Sequence, residues 1–357
     1  MFEPEPRSDL LEAPTPADSG VRHARRGRRR KGFVAGVVVG ALLLVVGGGA
    51  AAFFGIRASL DANIERIDDP FAGIDPETRP APAPAEGTTA PVNILMLGSD
   101  SRISAGDPSA WEYGAQRTDA IMLVHLSADR QSAAAISIPR DSWVPIPGYG
   151  EAKINAAYSY GGPPLMIQTV EDLTGVRIDH FAVTDFESFT TLTDTLGGVE
   201  ISVPDGAGGS VERMMTGEEA LTFTRERYGL ANGDFGRVQR QQAWMRSIAT
   251  KVTEDRTDLV KMTRFLDAVT SSVTVDESLT IGTLQDMALS ARQISTNDIA
   301  FLTVPYSGTG RSADGQSIVV LDRARFDPLM AAVAKDEVPD FLAANPDAMD
   351  VLPGVVQ

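Results

Sequence analysis

The chain has 357 residues, a formal net charge of -16 and no cysteine, which excludes disulfide bridges, thiolate metal sites and cysteine nucleophiles. The charge is unevenly distributed, because residues 1–31 are basic while the rest of the chain is acidic. An acidic domain also argues against nucleic acid as a partner, since surfaces that bind nucleic acid are basic and carry interleaved aromatic side chains.

The first element along the chain is an uncharged, mostly apolar run from Gly32 to Ile56. About 20 such residues suffice for a helix across a bilayer. The basic residues between Arg22 and Lys31 keep the N-terminus in the cytoplasm by the positive-inside rule. A cleaved signal peptide is the alternative, but its apolar core is usually only about 7–15 residues long. The prediction is a cytoplasmic tail at 1–31 and a transmembrane helix at 32–56.

Residues 57–91 contain the proline-rich piece RPAPAPAEGTTAP, which has no apolar periodicity. This composition is typical of an extended, semi-stiff spacer, so 57–91 is predicted as an extracellular linker. A single folded domain is predicted for 92–335, and residues 336–357 are predicted as a C-terminal tail.

Strands and helices alternate along 92–335. Four apolar runs predict strands, with a hairpin between the second and third: NILMLG, AIMLVHLS, SAAAISIP and HFAVT. Helices are predicted after Pro163, from Phe186, and after Thr216, whose spacing to Glu219 fits a capping box. Later helices are predicted at about 257–270, 280–293 and from 323, and later strands at 299–305 and 316–321. The pattern predicts an α/β fold with a helix-covered central mixed β-sheet in α-β-α layers.

The stretch TRERYGLANGDFGRVQRQQAWMR, residues 224–246, contains five arginines in this acidic chain. Arg225 and Arg227 are two residues apart, so an extended segment would point both to one side. A helix beginning at Asp234 would place three more polar side chains on one face of its first two turns: Arg237, Arg240 and Gln241. Cations at a helix N-terminus are disfavoured unless an anion binds, and guanidinium groups suit phosphate. A polyphosphate pocket is therefore favoured over pairing with local acids on a solvated surface.

Aspartates and arginines also occur together at three predicted strand ends: Asp100 with Arg102, Arg117 with Asp119, and Arg140 with Asp141. Ligands of α/β proteins bind at such sheet edges, although a single Asp–Arg pair is more often a structural salt bridge. Two carboxylates beside a polyphosphate suggest Mg²⁺, which takes one or two carboxylates together with phosphate oxygens and waters.

The histidines offer little support for other chemistry. His23 lies in the basic head, while His125 and His180 lie inside apolar strand patterns and are predicted as core or edge-strand residues. A zinc cluster and a Ser-His-Asp triad both need histidine at an accessible site, so neither is predicted.

Six blocks occur in order along the outer domain: NILMLGSDSR, RTDAIMLV, SIPRDSWVPIPGYGEAKINAAYSYGG, DHFAVTDFESFTTLTDTLGGVEISVP, MTGEEALTFTRERYGLANGDFGRVQRQQ and FLTVP. Together they resemble the LytR-CpsA-Psr family. The resemblance implies a transferase that moves a glycopolymer from a polyprenyl-pyrophosphate carrier to a peptidoglycan sugar hydroxyl, forming a phosphodiester. It also implies a cell-membrane protein with a short cytoplasmic tail, one transmembrane helix in the lipid bilayer and an extracellular catalytic domain.

The same resemblance assigns roles to residues of these blocks. The implied catalytic residues are Asp100, Asp119, Arg140, Arg225 and Arg227. The implied pyrophosphate-binding residues are Arg102, Arg117, Arg140, Lys153, Asn155, Arg225, Arg227, Arg237, Arg240 and Gln241. Asp100 and Asp119 are the implied ligands of Mg²⁺, with Mn²⁺ as the alternative ion.

Several alternatives stay open at this point. A lipid pyrophosphatase would share the phosphate site, and a non-catalytic polyprenyl-phosphate-binding regulator of wall assembly or transcription would need only the binding residues. The polymer is not identified by the sequence, since teichoic acid, capsule and arabinogalactan present the same carrier pyrophosphate. Either aspartate could activate the acceptor hydroxyl. The lipid tail could contact the block DHFAVTDFESF or the helix after Pro163, although ordinary core packing is favoured for both.

Overall fold

The computed structural model describes residues 60–85, 87, 89–99, 118–226, 234–346 and 349–357. All of them belong to one unit that spans Arg57–Gln357. The predicted cytoplasmic tail and transmembrane helix lie outside the described residues. Within the described ranges, no helix is long and apolar enough to cross a bilayer.

Fourteen strands and eight complete α-helices are formed within the described ranges, together with a 3₁₀ helix at Thr296–Asp298 and helical residues 60–63. The strands are β1 (Glu65–Ile67), β2 (Val92–Ser99), β3 (Thr118–Leu126), β4 (Ala133–Ser137), β5 (Trp143–Ile146), β6 (Gly150–Lys153), β7 (His180–Thr184), β8 (Val199–Pro204), β9 (Ser210–Met215), β10 (Val273–Asp276), β11 (Ile299–Thr303), β12 (Tyr306–Arg311), β13 (Ser317–Leu321) and β14 (Asp350–Val351). The helices are α1 (Asn155–Thr174), α2 (Phe186–Thr195), α3 (Gly217–Arg225), α4 (Asp234–Asp255), α5 (Leu259–Thr270), α6 (Ile281–Ser290), α7 (Arg323–Ala334) and α8 (Val338–Ala344).

Eight of the strands form the central sheet, in the order β1-β10-β7-β2-β3-β4-β11-β14. The pairs β1/β10, β2/β7 and β4/β11 are parallel, whereas β2/β3 and β3/β4 are antiparallel. The predicted mixed sheet is therefore confirmed. Three two-stranded hairpins, β5–β6, β8–β9 and β12–β13, lie outside it.

Helices cover both faces of the sheet. On one face, Leu95 and Ile136 pack against Met166 of α1 and Phe326 of α7 in the largest apolar core. On the other face, Met122 packs in a core with residues of α3, α4 and the β8–β9 hairpin. These two cores result from strand alternation, because successive side chains of β2 and β3 point to opposite faces.

Local sequence signals locate several helix ends correctly. Thr216 and Glu219 form the predicted capping box at the start of α3. Gly175 ends α1 in the left-handed conformation, with φ of 66°. α1 is kinked at Gly161 and Gly162, which have non-helical backbone angles, so its second half begins at the prolines that were expected to open a helix.

The predicted linker 57–91 is wrong in its first part, because residues from Leu60 onward are built into the domain. Leu60, Ile64 and Ile67 are each less than one-tenth exposed, and β1 adds to the sheet beside β10. The composition of the proline-rich piece led to the prediction of a linker for the whole range. The apolar residues that pack into the domain precede that piece in the sequence. Arg79, within that piece, donates two hydrogen bonds from Nε and one from Nη2 to the carboxylate of Glu171 in α1.

Replacing Arg79 by methionine is expected to lower the free energy of unfolding by about 3–5 kcal/mol, because it leaves the charge of Glu171 buried without its cation. Glu171 is 2% exposed and Arg79 is 11% exposed. Arg66→Met is the matched control, since its partner Asp61 is 48% exposed and such pairs contribute under about 1 kcal/mol. Urea denaturation of the full-length variants measures both values. Equal losses for the two variants would contradict the expectation.

The predicted tail 336–357 also differs from the structure. It contains α8 and β14, and β14 pairs with β11 at the edge of the sheet. Leu352 and Val356 are buried in the core on the α4 face. The sparse apolar residues of this segment gave no periodic signal, although Leu352 and Val356 are placed in the fold by packing against residues distant in sequence.

Both described histidines are structural, as predicted. His125 is buried, and its ring nitrogens lie 2.8 Å from Asn93 Oδ1 and 2.8 Å from Asp336 Oδ1. Burial lowers the pKa of His125. His180 Nδ1 lies 3.2 Å from Asp276 Oδ2 of β10, the strand next to β7 in the sheet.

Candidate active site

The site lies at one edge of the central sheet, where β2 ends and β3 begins. Gly98 pairs with Ala120 but Ser99 pairs with Thr118, so Asp119 is an extra residue in a β-bulge. Bulges locally break the ladder and redirect a side chain. Asp119 is therefore placed at the sheet edge by the backbone, and its side chain is only 16% exposed.

Arg140 reaches Asp119 because the chain continues the β3–β4 pairing beyond Ser137. The amide of Ile138 donates to the carbonyl of Ile121 at 2.9 Å, which brings the next residues alongside the start of β3. Arg140 Nη1 donates to Asp119 Oδ1. The Arg140 side chain is 14% exposed, so this ion pair is largely shielded from solvent.

Arg237 is the second cation at Asp119. It lies in the first turn of α4, is 2% exposed, and places Nη1 3.8 Å from Asp119 Oδ1. The helix N-terminus already carries positive partial charge, so a buried arginine there is costly unless anions surround it. Arg140 and Arg237, together with the Asp119 carboxylate that both contact, are called the arginine cluster. Its two guanidinium groups outnumber its one carboxylate, so its side chains carry a net positive charge.

Gln242 fixes the helix that carries Arg237. Its side-chain amide is fully buried and donates to Ser137 Oγ at 2.9 Å, to Thr303 Oγ1 at 3.3 Å and to the carbonyl of Leu302. These acceptors belong to β4 and β11, so the start of α4 is bound directly to the sheet. No sequence signal points to this role, because a glutamine between Gln241 and Ala243 looks like any polar helix residue.

A small cavity opens beside Asp119 on the α4 face of the sheet. It has a volume of about 100 Å³. Its polar rim includes Asp119, Arg225 and Gln241, and its apolar wall includes Met96, Met122, Phe189, Leu221, Trp244 and Met245. Phe189 stacks on Trp244 with ring centroids 4.0 Å apart. The cavity thus joins a charged mouth to an apolar interior.

Four of the predicted phosphate residues are brought to Asp119 or to this cavity: Arg140, Arg225, Arg237 and Gln241. Lys153 and Asn155 lie farther along the same edge, next to Arg140. Lys153 Nζ pairs with Asp141 Oδ1 at 3.2 Å. The backbone N–H of Asn155 donates a hydrogen bond to the backbone carbonyl of Arg140 at 3.2 Å. Both therefore position the Arg140 segment in this structure.

Arg240 is not brought to the cluster, contrary to expectation. Its Nη1 donates to the carbonyl of Phe223 at 2.9 Å and to Glu226 Oε2 at 2.8 Å, and its Nε donates to the carbonyl of Gln357. Its guanidinium carbon also lies 4.2 Å from the centre of the Phe223 ring. Arg237 and Arg240 serve different contacts although they are only three residues apart on one helix, because the partners of Arg240 come from the end of α3 and the C-terminal residues.

Four predicted site residues lie outside the described ranges: Asp100, Arg102, Arg117 and Arg227. Among the residues the structure describes, no group of three or more acidic or imidazole side chains forms a metal cage. Asp119 supplies one carboxylate at the rim of the cavity. Because Mg²⁺ needs only one or two carboxylates when phosphate oxygens and waters complete its shell, this donor set fits such an ion.

Comparison with known proteins identifies relatives in cell-wall synthesis. The cell wall biosynthesis protein LcpA of Corynebacterium glutamicum is 30% identical over 285 residues, which cover 67% of this chain and 54% of LcpA. The polyisoprenyl-teichoic acid–peptidoglycan teichoic acid transferase TagU of Bacillus cereus is 36% identical over 170 residues, covering 45% of this chain and 52% of TagU. The chain thus spans about half the length of these curated relatives.

The fold is shared with a solved structure, and a family model covers most of the domain. TagV of Bacillus subtilis superposes with a TM-score of 0.59 at 23% identity, covering 69% of this chain and 97% of TagV, which shows a common fold. The model of the LytR_cpsA_psr family matches residues 74–335, so it includes the bulge, the arginine cluster and part of the segment expected to be a linker. The chain belongs to the LytR_cpsA_psr family.

Proposed function

We propose that this protein is a membrane-anchored phosphotransferase that moves a glycopolymer from a polyprenyl-pyrophosphate carrier to a sugar hydroxyl of peptidoglycan. The observation that carries the proposal is that a buried arginine cluster at Asp119 lies directly beside an apolar cavity. A ligand that fits both parts is an anion attached to an apolar chain. The name of the relative TagU supports the same donor and acceptor.

The arginines bind the pyrophosphate and stabilise the charge that develops when it breaks. Arg140, Arg225 and Arg237 are the described cations, and the side-chain amide of Gln241 can donate to a phosphate oxygen. Fixed donors at a shielded site are worth more than donors in water, because they need no reorganisation during the reaction. Gln242 supplies that rigidity by binding α4 to the sheet.

The transfer makes one phosphorus–oxygen bond and breaks another. The acceptor hydroxyl oxygen bonds to the phosphorus that carries the sugar, while the bond from that phosphorus to the bridging oxygen breaks. Polyprenyl phosphate leaves with the electron pair and takes up the proton of the acceptor hydroxyl. Asp119 would hold a Mg²⁺ or Mn²⁺ ion together with Asp100, and such an ion supplies further neutralisation of phosphate charge.

The cavity would receive the first isoprene units of the lipid. Its volume of about 100 Å³ is below the roughly 150 Å³ that accommodates benzene in an engineered cavity. Three methionines line it, and these unbranched side chains adapt easily to a guest. The wall includes Phe189 from the block DHFAVTDFESF, while Met166 and Val170 of α1 belong to the core on the other face.

Leu221→Trp is expected to raise the KM for the lipid-linked donor about tenfold, because a larger ring displaces two or so methylene groups of the lipid. Leu221 lies in the cavity wall on α3. The KM for a donor whose pyrophosphate carries a methyl group in place of the polyprenyl chain should change much less than the KM for the polyprenyl donor. Equal changes for both donors would place the lipid elsewhere.

Two other functions share this site. A pyrophosphatase would pass the phosphoryl group to water, and a regulator would bind the lipid phosphate without turnover. The transferase is preferred because the relatives LcpA and TagU are named for wall biosynthesis and for transfer. The apolar run at 32–56 supports a single-pass anchor that places the domain at the outer face of the cell membrane.

The function is tested with the full-length chain in detergent and a short saccharide on polyprenyl pyrophosphate. Release of polyprenyl phosphate and labelling of peptidoglycan are measured together, with Mg²⁺ and with EDTA. We expect metal-dependent release that delivers saccharide to the acceptor. Release without labelling would establish the pyrophosphatase, and lipid binding without release would establish the regulator.

A further inference from the structure

The β5–β6 hairpin begins three residues after Arg140 and has two different faces. Val144 and Ile146 are 1% and 2% exposed and belong to the large core, so the inner face is packed. Because strand side chains alternate, Trp143 and Pro145 point the other way, opposite Lys153 and Glu151 of β6. These four residues are called the outer face of the hairpin.

Two aromatic rings and a carboxylate reach the surface of this hairpin: Tyr149 and Glu151 are exposed, and Trp143 is half-buried. Trp143 Nε1 donates to Glu151 Oε2 at 3.2 Å, which orients the indole beside a carboxylate. At the turn, Tyr149 is 50% exposed and stacks on Tyr160 of α1 with ring centroids 4.8 Å apart. Gly148 and Gly150, with φ of 78° and 77°, flank Tyr149 in the left-handed backbone conformation that favours glycine.

The outer face is continuous with the arginine cluster. Lys153, opposite Trp143, pairs with Asp141, and the neighbour Arg140 binds Asp119. A chain lying along the four-residue strand would extend on the order of 10 Å from this edge, since strands rise about 3.3 Å per residue. The end of this bound chain that lies nearest to Asp141 would reach the phosphate site.

The chemistry of this face suits a neutral, hydroxyl-rich chain. Exposed aromatic rings stack on the C–H faces of sugars, and carboxylates accept hydrogen bonds from sugar hydroxyls. The charged residues on the outer face or directly before the hairpin are Asp141, Glu151 and Lys153. Two acids and one base do not form a cationic surface. A phosphate-rich polymer would therefore gain little here, whereas a glycan without phosphate would bind.

The position of the hairpin distinguishes the acceptor from the donor. The lipid cavity lies on the α4 face of the sheet, while the inner face of the hairpin packs on the α1 face. Asp119 lies at the edge between them. In phosphoryl transfer, the attacking and leaving oxygens are roughly in line. If polyprenyl phosphate leaves toward the cavity, the attacking hydroxyl arrives from the opposite side, where the hairpin is.

We propose that the outer face of the β5–β6 hairpin, which includes Trp143 and Glu151, together with Tyr149 at its turn, is the surface that binds the peptidoglycan glycan strand as acceptor. The proposal rests on the proposed transferase function. It assigns the acceptor to a surface separate from the pyrophosphate cluster and from the lipid cavity, so acceptor binding and donor binding can be altered independently.

The test compares acceptor and donor kinetics in full-length Tyr149→Ala and Trp143→Ala, with glycan strands freed of stem peptides as the acceptor probe. We expect the acceptor KM to rise about tenfold, roughly the loss of one good contact, with the donor KM and acceptor-independent release unchanged. Leu289→Ala is the control, because Leu289 is 61% exposed on α6, away from this hairpin. Tyr149 is at a surface turn, so its variant remains informative should Trp143→Ala unfold.

Each other outcome has a distinct meaning. An unchanged acceptor KM in Tyr149→Ala, with active wild-type protein, would overturn the assignment of this surface alone. A rise in donor KM without a rise in acceptor KM would assign the surface to the donor saccharide instead. Wild-type protein that never labels an acceptor would contradict the transferase function itself, whatever the variants do.

Discussion

Replacing Arg237 by alanine is expected to lower kcat/KM for transfer by about 10²–10³-fold, the usual cost of removing one preorganised donor from a site of developing negative charge. Arg237 is 2% exposed and lies 3.8 Å from Asp119, so its guanidinium is part of the shielded cluster. Single-turnover release of polyprenyl phosphate from the lipid-linked donor measures the effect on the chemical step. Binding of the donor should weaken as well, because the pyrophosphate loses a cation.

Arg240→Ala is the matched control for this prediction. Arg240 is on the same helix and is 6% exposed, but its guanidinium contacts Glu226 and the carbonyl groups of Phe223 and Gln357. Its loss should lower the free energy of unfolding while the folded protein keeps a kcat/KM within a few fold of the wild type. If Arg240→Ala were as inactive as Arg237→Ala while remaining folded, the assignment of the two arginines would be wrong.

Asp119→Asn is expected to lower kcat by at least about 10²-fold, since the site loses the carboxylate that is proposed to hold the metal ion. Donor binding should not weaken. Removing a negative charge beside Arg140 and Arg237 leaves those cations more available to the pyrophosphate, so its Kd is expected to stay equal or to fall. Isothermal titration with the lipid-linked donor, beside the turnover assay, separates the two effects.

The dependence on metal provides the control for this second prediction. In the wild type, EDTA should abolish release, and in Asp119→Asn the residual release should respond little to Mg²⁺. Glu151→Gln removes a carboxylate of the hairpin instead and should keep the wild-type metal response. A variant Asp119→Asn with normal kcat, or with donor binding weakened as much as turnover, would remove Asp119 from its proposed role.

The central strands and several helix ends were predictable because their signals are local. The apolar runs that form β2, β3, β4 and β7, and the capping box at Thr216, depend on residues close together in sequence. The short strands β1 and β14 were missed because they exist only through pairing with β10 and β11, which are distant in sequence. A three-residue strand has no periodicity to detect.

For the site as well, local signals were predictive and contacts between residues distant in sequence were not. Residue type and spacing pointed to Asp119, Arg140, Arg225, Arg237 and Gln241 as a phosphate site, and the structure brings them to one edge. Helical spacing alone could not separate Arg237 from Arg240, because the partners that hold Arg240 come from α3 and the C-terminal residues. Gln242 and the bulge were not foreseen, since both depend on the register of strands.

The bulge at Asp119 has a consequence for which changes in chain length this protein tolerates. A regular ladder and the bulged ladder differ by one residue of β3. Deletion of one residue here would restore regular pairing and change the orientation of Thr118, the residue of β3 that precedes the bulge. A substitution at Asp119 removes one functional group, whereas a deletion changes the backbone register at this end of the strand. Variation within the family should therefore include changes of residue identity near this point but rarely a change in the number of residues between Asp119 and the middle of β3.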